Sequence, residues 1–195
     1  MKNVLKLILI FSLSVVLIAC NSKKETPKEA VDNGLAAVKN LDIKNAKRYF
    51  DLSNVEDEDI LEENDLDLTN LERKQLEAVK LYLDKFEYQT LAEEVNGDRA
   101  SVVTKIETIE MKSLFVDYFS YALQLAFSNI SEEEIDEKLE DKIFDLLNSG
   151  DIEIIESEVT FNLNKKDEQW KIVLDQDTLD ALLGGIISAA NNFEN

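Results

Sequence analysis

Histidine is absent from all 195 residues. Without imidazole there can be no Ser-His-Asp triad, no Cys-His nucleophile pair and no metal site built on His ligands. Cysteine occurs once, as Cys20, so neither an internal disulfide nor a four-thiolate zinc site can form. Positive charge is scarce: 21 Lys and Arg stand against 41 Asp and Glu, a net charge of −20. That balance argues against a nucleic-acid surface, because phosphate contacts need clustered Lys and Arg. No glycine-rich phosphate loop, paired-cysteine motif or nucleophile elbow is present, and no cofactor or metal is implied. What remains is 45% hydrophobic and 32% charged, enough for one domain with a real core.

The N-terminus carries an address. Lys2 and Lys6 give a positive start, and Leu7 to Ala19 follows without a charge, which is the pattern of an export signal. The run is shorter than the ~20 apolar residues a transmembrane helix needs. It stops at Cys20, after Leu17, Ile18 and Ala19, and the chain then turns polar through Asn21-Ser22-Lys23-Lys24-Glu25-Thr26. The Leu17-Ile18-Ala19-Cys20 quartet resembles the lipobox of bacterial lipoproteins. That resemblance implies recognition of Leu17, Ile18 and Ala19 by the signal peptidase and a diacylglycerol on the Cys20 thiol, with acyl chains of the palmitate kind. Residues 1–19 are then a lipoprotein signal peptide, 20–26 a lipidated tether, and 27–195 a single domain on the outer face of the cytoplasmic membrane. Loss of Lys2 and Lys6 takes the net charge from −20 to −22. Such a sum repels anionic headgroups and predicts a domain that stands off the bilayer.

Along the mature chain, Thr26-Pro27-Lys28-Glu29 reads as a capped helix start with a stripe of Val31, Leu35 and Val38. Asp42 caps a second short helix in which Ile43, Ala46 and Phe50 share a face. The carboxylates from Glu56 to Asp67 read as a solvated loop. Within it, Asp65 to Asn70 lacks both the turn glycine and the bidentate glutamate of a calcium loop. Thr69-Asn70-Leu71-Glu72 caps a third helix carrying Leu76, Val79, Leu83 and Phe86.

Strands follow at Phe86 to Val95 and Arg99 to Met111 about an Asn96-Gly97-Asp98 turn. Lys112 to Phe127 switches to helical period, with Phe115, Tyr118, Phe119, Ala122, Leu125 and Ala126 on one broad face. Ser131 caps a helix bearing Ile135, Leu139, Ile143 and Leu147. Val159 to Leu163 and Trp170 to Leu174 alternate around a turn from Asn164 to Glu168. Asp177 caps a last helix whose stripe runs from Leu179 to Ala190, weakened by Gly184 and Gly185. There is no internal repeat and no composition break after Glu25. The expected fold is α+β: a four-stranded antiparallel sheet packed against helices, with inserted helices between the two hairpins.

The helical stretch Pro27 to Asp51, the hairpin at Asn96-Gly97-Asp98 and the strand Asp167-Glu168-Gln169-Trp170-Lys171-Ile172 together resemble a family. They are similar to small Gram-positive lipoproteins with an NTF2-like domain, of the DUF4878 and DUF5105 kind. The resemblance implies a curved sheet wrapped around helices as a cone with a pocket, and it brings no assigned activity. Fold alone does not supply function.

Two functions are compatible with these residues. One is a membrane-anchored binding or interaction module for an extracellular protein or small ligand. The other is a small isomerase or hydrolase with a carboxylate base in the cone, since no His is available. Asp117, beside Phe115, Tyr118 and Tyr121, is the candidate acid, but it falls off the apolar stripe and is expected on the solvent side. Tyr88, Phe115, Tyr118, Phe119, Tyr121 and Trp170 are candidate pocket aromatics, although aromatics at these periods commonly fill a core. No catalytic residue is assigned, and the chain reads as a binder, not an enzyme.

Overall fold

The computed structural model describes residues 24–51 and 73–188. The leader with its lipobox, the acidic run from Glu56 to Asp67 and the Thr69-Asn70-Leu71-Glu72 cap lie outside the described residues.

Helix α1, Pro27–Lys39, begins as its residues dictate. Glu29 N donates to Thr26 Oγ1 at 3.1 Å and Thr26 N donates to Glu29 Oε2 at 2.9 Å, a reciprocal capping box. Helix α2, Ile43–Tyr49, starts where Asp42 accepts from Asn45 N. The chain then enters β1, Phe50–Asp51, a strand of only two residues. Helix α3 is Arg73–Asp84 and leads into the hairpin β2, Glu87–Asn96, and β3, Arg99–Ile109. The turn uses positive φ at Gly97 alone, +63°, not at Asn96, and Gly reaches that region without a Cβ penalty.

Helices α4, Met111–Ala126, and α5, Glu132–Leu147, form the insertion. The second hairpin is longer than its alternation suggested: β4 is Ile154–Lys166 and β5 is Gln169–Val173. Its turn is only Asp167 and Glu168, both at positive φ. Helix α6 is Gln176–Leu182.

The sheet order is β1-β5-β4-β3-β2. All neighbours are antiparallel except β1, which lies parallel to β5 through Phe50↔Ile172 and Asp51↔Val173. The fifth strand corrects the expected four: two residues are too few to display a period-2 pattern. On β3, Ala100, Val102, Thr104, Ile106 and Thr108 turn to the core, matched by Val159, Phe161 and Leu163 on β4 and Trp170 and Ile172 on β5. α1 covers this face through Ala30, Val31 and Leu35, all fully buried. Burial of each large apolar side chain contributes ~1.5–3 kcal/mol.

Two helical expectations need correction. On α4 only Leu125 is buried, while Phe115, Phe119 and Phe127 are 47%, 52% and 88% exposed. The stripe exists, but α4 packs mainly on α5, and periodicity does not say how much of a stripe a partner will cover. The last helix is capped by Asp175, not Asp177, and its first stretch ends at Leu182, the chain being helical again at 186–188 beyond the two glycines. Gly184 and Gly185 break it with φ of +62° and +79°, and the Gly184 carbonyl accepts from Met111 N at 3.0 Å, fastening α6 to the start of α4.

A Cβ on Gly184 would lie 2.0 Å from the Ile109 carbonyl oxygen, whereas one on Gly185 would meet nothing within 4 Å. Urea unfolding should therefore separate the two. Gly185→Ala is expected to cost ~1 kcal/mol for its backbone alone, and Gly184→Ala ~3 kcal/mol or more, because backbone must also move.

Candidate functional site

At the end of the sheet where β3 finishes and β4 begins, the helices close around an apolar chamber of about 690 Å³. This lies within the ~300–1,000 Å³ typical of small-molecule sites. Helical spacing builds its walls. Residues four apart lie one above the other on a helix face, so α3 presents Ala78 with Tyr82 and Val79 with Leu83. α4 presents Met111 with Phe115 and Leu114 with Tyr118, α5 presents Ile143 with Leu147, and α6 presents Leu179, with Leu183 at its C-cap. Val38 and Leu41 at the end of α1, Ile43 and Ala46 on α2, Leu182 and the buried Phe86 complete the lining. Val79, Phe115 and Leu183 are 37%, 47% and 44% exposed and form an open rim.

In a chain with 32% charged residues, none of these lining side chains carries Lys, Arg, Asp or Glu chemistry. The polar groups in the wall are the Tyr82 and Tyr118 hydroxyls. That of Tyr82 donates to the Leu182 carbonyl at 2.8 Å and accepts from Thr108 Oγ1 at 2.9 Å. Burial raises the Tyr82 phenol above its usual range, opposed in part by the Thr108 hydrogen bond. Its hydrogen-bonding is thus spent on tying α3 to β3 and α6. Tyr118 makes no hydrogen bond to any described residue.

The structure divides the six candidate aromatics. Phe115 and Tyr118 line the chamber. Phe119 stacks on Phe115 at 6.0 Å between centroids and faces outward. Tyr121 lies beneath the Lys142 ammonium at 5.5 Å. Tyr88 packs on Phe86 at 5.9 Å and donates to the Asp32 carbonyl at 3.1 Å. Trp170 is buried at the other end of the sheet, with the Lys165 ammonium 5.7 Å from its ring. Asp117 is exposed and borders a separate recess of about 500 Å³ with Glu110, Ser113, Lys142 and Asp145. Met111, Ala78 and the α6 leucines were not legible as pocket residues, since their spacing is that of any core-facing helix.

A third recess, of about 480 Å³, lies along β4 near Glu158, Asp175, Asp177 and Asp180. Among the described residues no group of His, Cys, Asp and Glu is arranged to hold a metal ion. Both recesses are bordered by carboxylates, so the uncharged apolar chamber is the candidate site.

Fold and chamber together define an α+β domain with a hydrophobic hollow at one end of a mixed five-stranded sheet. The model of the family DUF5105, Domain of unknown function, matches residues 19–187, and the chain belongs to that family. No curated protein and no solved structure matches the chain.

Tyr82 allows the chamber's wall to be probed by stability. Tyr82→Phe leaves the Leu182 carbonyl and the Thr108 hydroxyl without a partner and is expected to cost ~1–2 kcal/mol in urea unfolding at pH 7. The phenols of Tyr49, Tyr82 and Tyr88 are all raised, chiefly by burial. A raised phenol adds stability that is fully present below the unfolded value of about 10 and is lost as pH rises through the folded value. Wild type should therefore lose stability above about pH 10, and Tyr82→Phe should lose it less steeply.

Proposed function

We propose that this chain is a membrane-anchored extracytoplasmic lipoprotein whose domain binds an apolar ligand in the chamber bounded by α3, α4 and α6. The observation that carries the binding reading is the chamber's wall, which combines a volume of about 690 Å³ with an absence of charged lining side chains. Burial of hydrocarbon there gains ~0.8 kcal/mol per CH₂. The anchoring reading rests on the Leu17-Ile18-Ala19-Cys20 quartet and the charge-free run before it. No helix among the described residues is long and apolar enough to cross a membrane. Two acyl chains on Cys20 would hold the chain at a bilayer without one.

We read the frame as NTF2-like: a sheet with helices across one face and a hollow at one end supports that assignment. The alternative is a carboxylate-dependent isomerase or hydrolase. It would need an acid facing the hollow, and Asp117 opens into the neighbouring polar recess instead.

Expression of the precursor in a bacterial host tests the anchor: wild type should carry the diacylglycerol mass and sediment with membranes, and Cys20→Ser should do neither. An unmodified, non-sedimenting wild type would overturn the reading. Photolabelling of the full chain with a diazirine-bearing hexadecanol, followed by peptide mapping, tests the chamber. Labels are expected on the α3 and α4 peptides and should fall by roughly tenfold in Ala78→Trp, whose indole occupies the hollow. Equal labelling of the two proteins would remove the chamber from the proposal.

A further inference from the structure

Five of the ten large hydrophobic side chains exposed among the described residues stand on α4 or at its C-cap, and so form a patch and not a scatter. Phe115, Phe119, Leu123 and Phe127 recur every four residues and make one row along the helix. They are 47%, 52%, 45% and 88% exposed, and Val116 beside them is 44% exposed. The helix's own packing leaves this row free. Tyr121, beneath the Lys142 ammonium of α5, and Leu125, the buried residue of α4, lie two positions either side of Leu123. At 3.6 residues per turn that puts both on the opposite face.

The area and the charge of the row select what covers it. Five side chains exposed to this extent leave roughly 500 Å² of apolar surface bare, at the upper end of what a monomer shows. Two such rows together bury about 1,000 Å², where specific interfaces begin. α4 has only two charged residues, Lys112 and Asp117, and Asp117 borders the separate polar recess. In a chain of net charge −20, this row is therefore a surface on which two copies meet without bringing carboxylates together. A bilayer is a poorer fit, because interfacial helices line their polar face with Lys and Arg and α4 offers Lys112 alone. The row is also self-complementary. Phe119 is the midpoint between Met111 and Phe127, so a two-fold axis there lays two α4 helices antiparallel, Phe119 on Phe119 and Phe115 on Leu123. Each Lys112 then lies at the far end from the other, beside the negative C-terminal end of the opposing helix.

We propose that the exposed row of α4, from Phe115 to Phe127, is the docking surface for a second copy of this chain, paired antiparallel about Phe119. Phe115 belongs both to the row and to the rim of the chamber. Leu123 of the second copy covers it, so each copy completes the rim of the other's chamber. The pairing stands independently of the acyl anchor and of the chamber's ligand.

The full chain carrying Cys20→Ser has no thiol, so a cysteine introduced on α4 reports its own position whatever the state of the anchor. On oxidation, Cys20→Ser/Phe119→Cys is expected to become mostly a disulfide-linked dimer, because the axis brings its two thiols together. In Cys20→Ser/Phe127→Cys the two positions stand about 24 Å apart along the paired helices, beyond the ~7 Å a disulfide spans, and linkage should fall at least tenfold. Random collision would favour position 127, the more exposed of the two. Linkage at 127 as ready as at 119 would overturn the antiparallel pairing. Sedimentation equilibrium supplies a second reading. Cys20→Ser should be dimeric at about 100 µM, and Phe119→Glu in the same chain should weaken association roughly a hundredfold by burying an unpaired charge. A monomeric Cys20→Ser chain would overturn the second copy as occupant and leave the row to a foreign protein. Association that Phe119→Glu leaves unchanged would place the contact elsewhere and overturn the proposal as well.

Discussion

Everything in this domain hangs on β3. It pairs with β4 without interruption from Arg99↔Asn164 to Ile109↔Ile154 and with β2 along its other edge. Because side chains alternate across a strand, one-residue slippage would turn Val102, Ile106 and Phe161 to the other face and expose them. The fully buried face of α1 locks that register from above, and Phe50 and Ile172 extend it across the added parallel strand. With β3 in place, the two hairpin turns must lie at one end and the helical insertion at the other. The separation of Lys24 from the chamber is a consequence of strand direction.

Charge is arranged around that frame more than within it. Most ion pairs among the described residues join exposed or half-exposed side chains, as in Lys105 between Glu107 at 2.9 Å and Glu156 at 2.7 Å, or Lys74 beside Glu140 and Asp141, while Lys166 reaches the largely buried Asp51. Pairs of this kind contribute ~0–1 kcal/mol each. They soften the self-repulsion of an acidic chain without determining its fold. Among the described residues the buried interior holds no Asp, Glu, Lys or Arg, and the chamber's lining holds none either. Its wall is core surface left uncovered: Leu83, Leu147 and Phe86 are buried, while Val79, one turn before Leu83, and Phe115 and Leu183 on neighbouring elements meet solvent.

Much of the local structure was legible in the residues. The α1 capping box, the Asp42 cap, the Ser131 cap and both hairpins follow from short-range chemistry, in which a side-chain oxygen answers a backbone N–H a few positions away. Where reading failed, long-range contacts decided. β1 is too short to signal itself and exists because β5 offers a parallel partner. Asp175 displaced Asp177 as the cap of α6, and the chain turns at positive φ through Gly184, where the Ile109 carbonyl occupies the space a Cβ would need. The exposed phenylalanines of α4 had the spacing of a core stripe and lacked only a surface to cover them.

The candidate site divides along the same line. Phe115 and Tyr118 stood out as aromatics, but nothing in their spacing separated them from Tyr88 and Trp170, which fill the core. By itself the sequence determined the helices and hairpins, the acidic surface and the exclusion of imidazole chemistry, since each depends on composition or on neighbours within one or two turns. Only the tertiary structure decided that Ala78, Phe86, Met111 and Leu182 share one hollow, and that this hollow lies at the end of the sheet away from Lys24. A chamber is made by surfaces that fail to meet, and no periodicity within a single element records how far away its neighbours will stop.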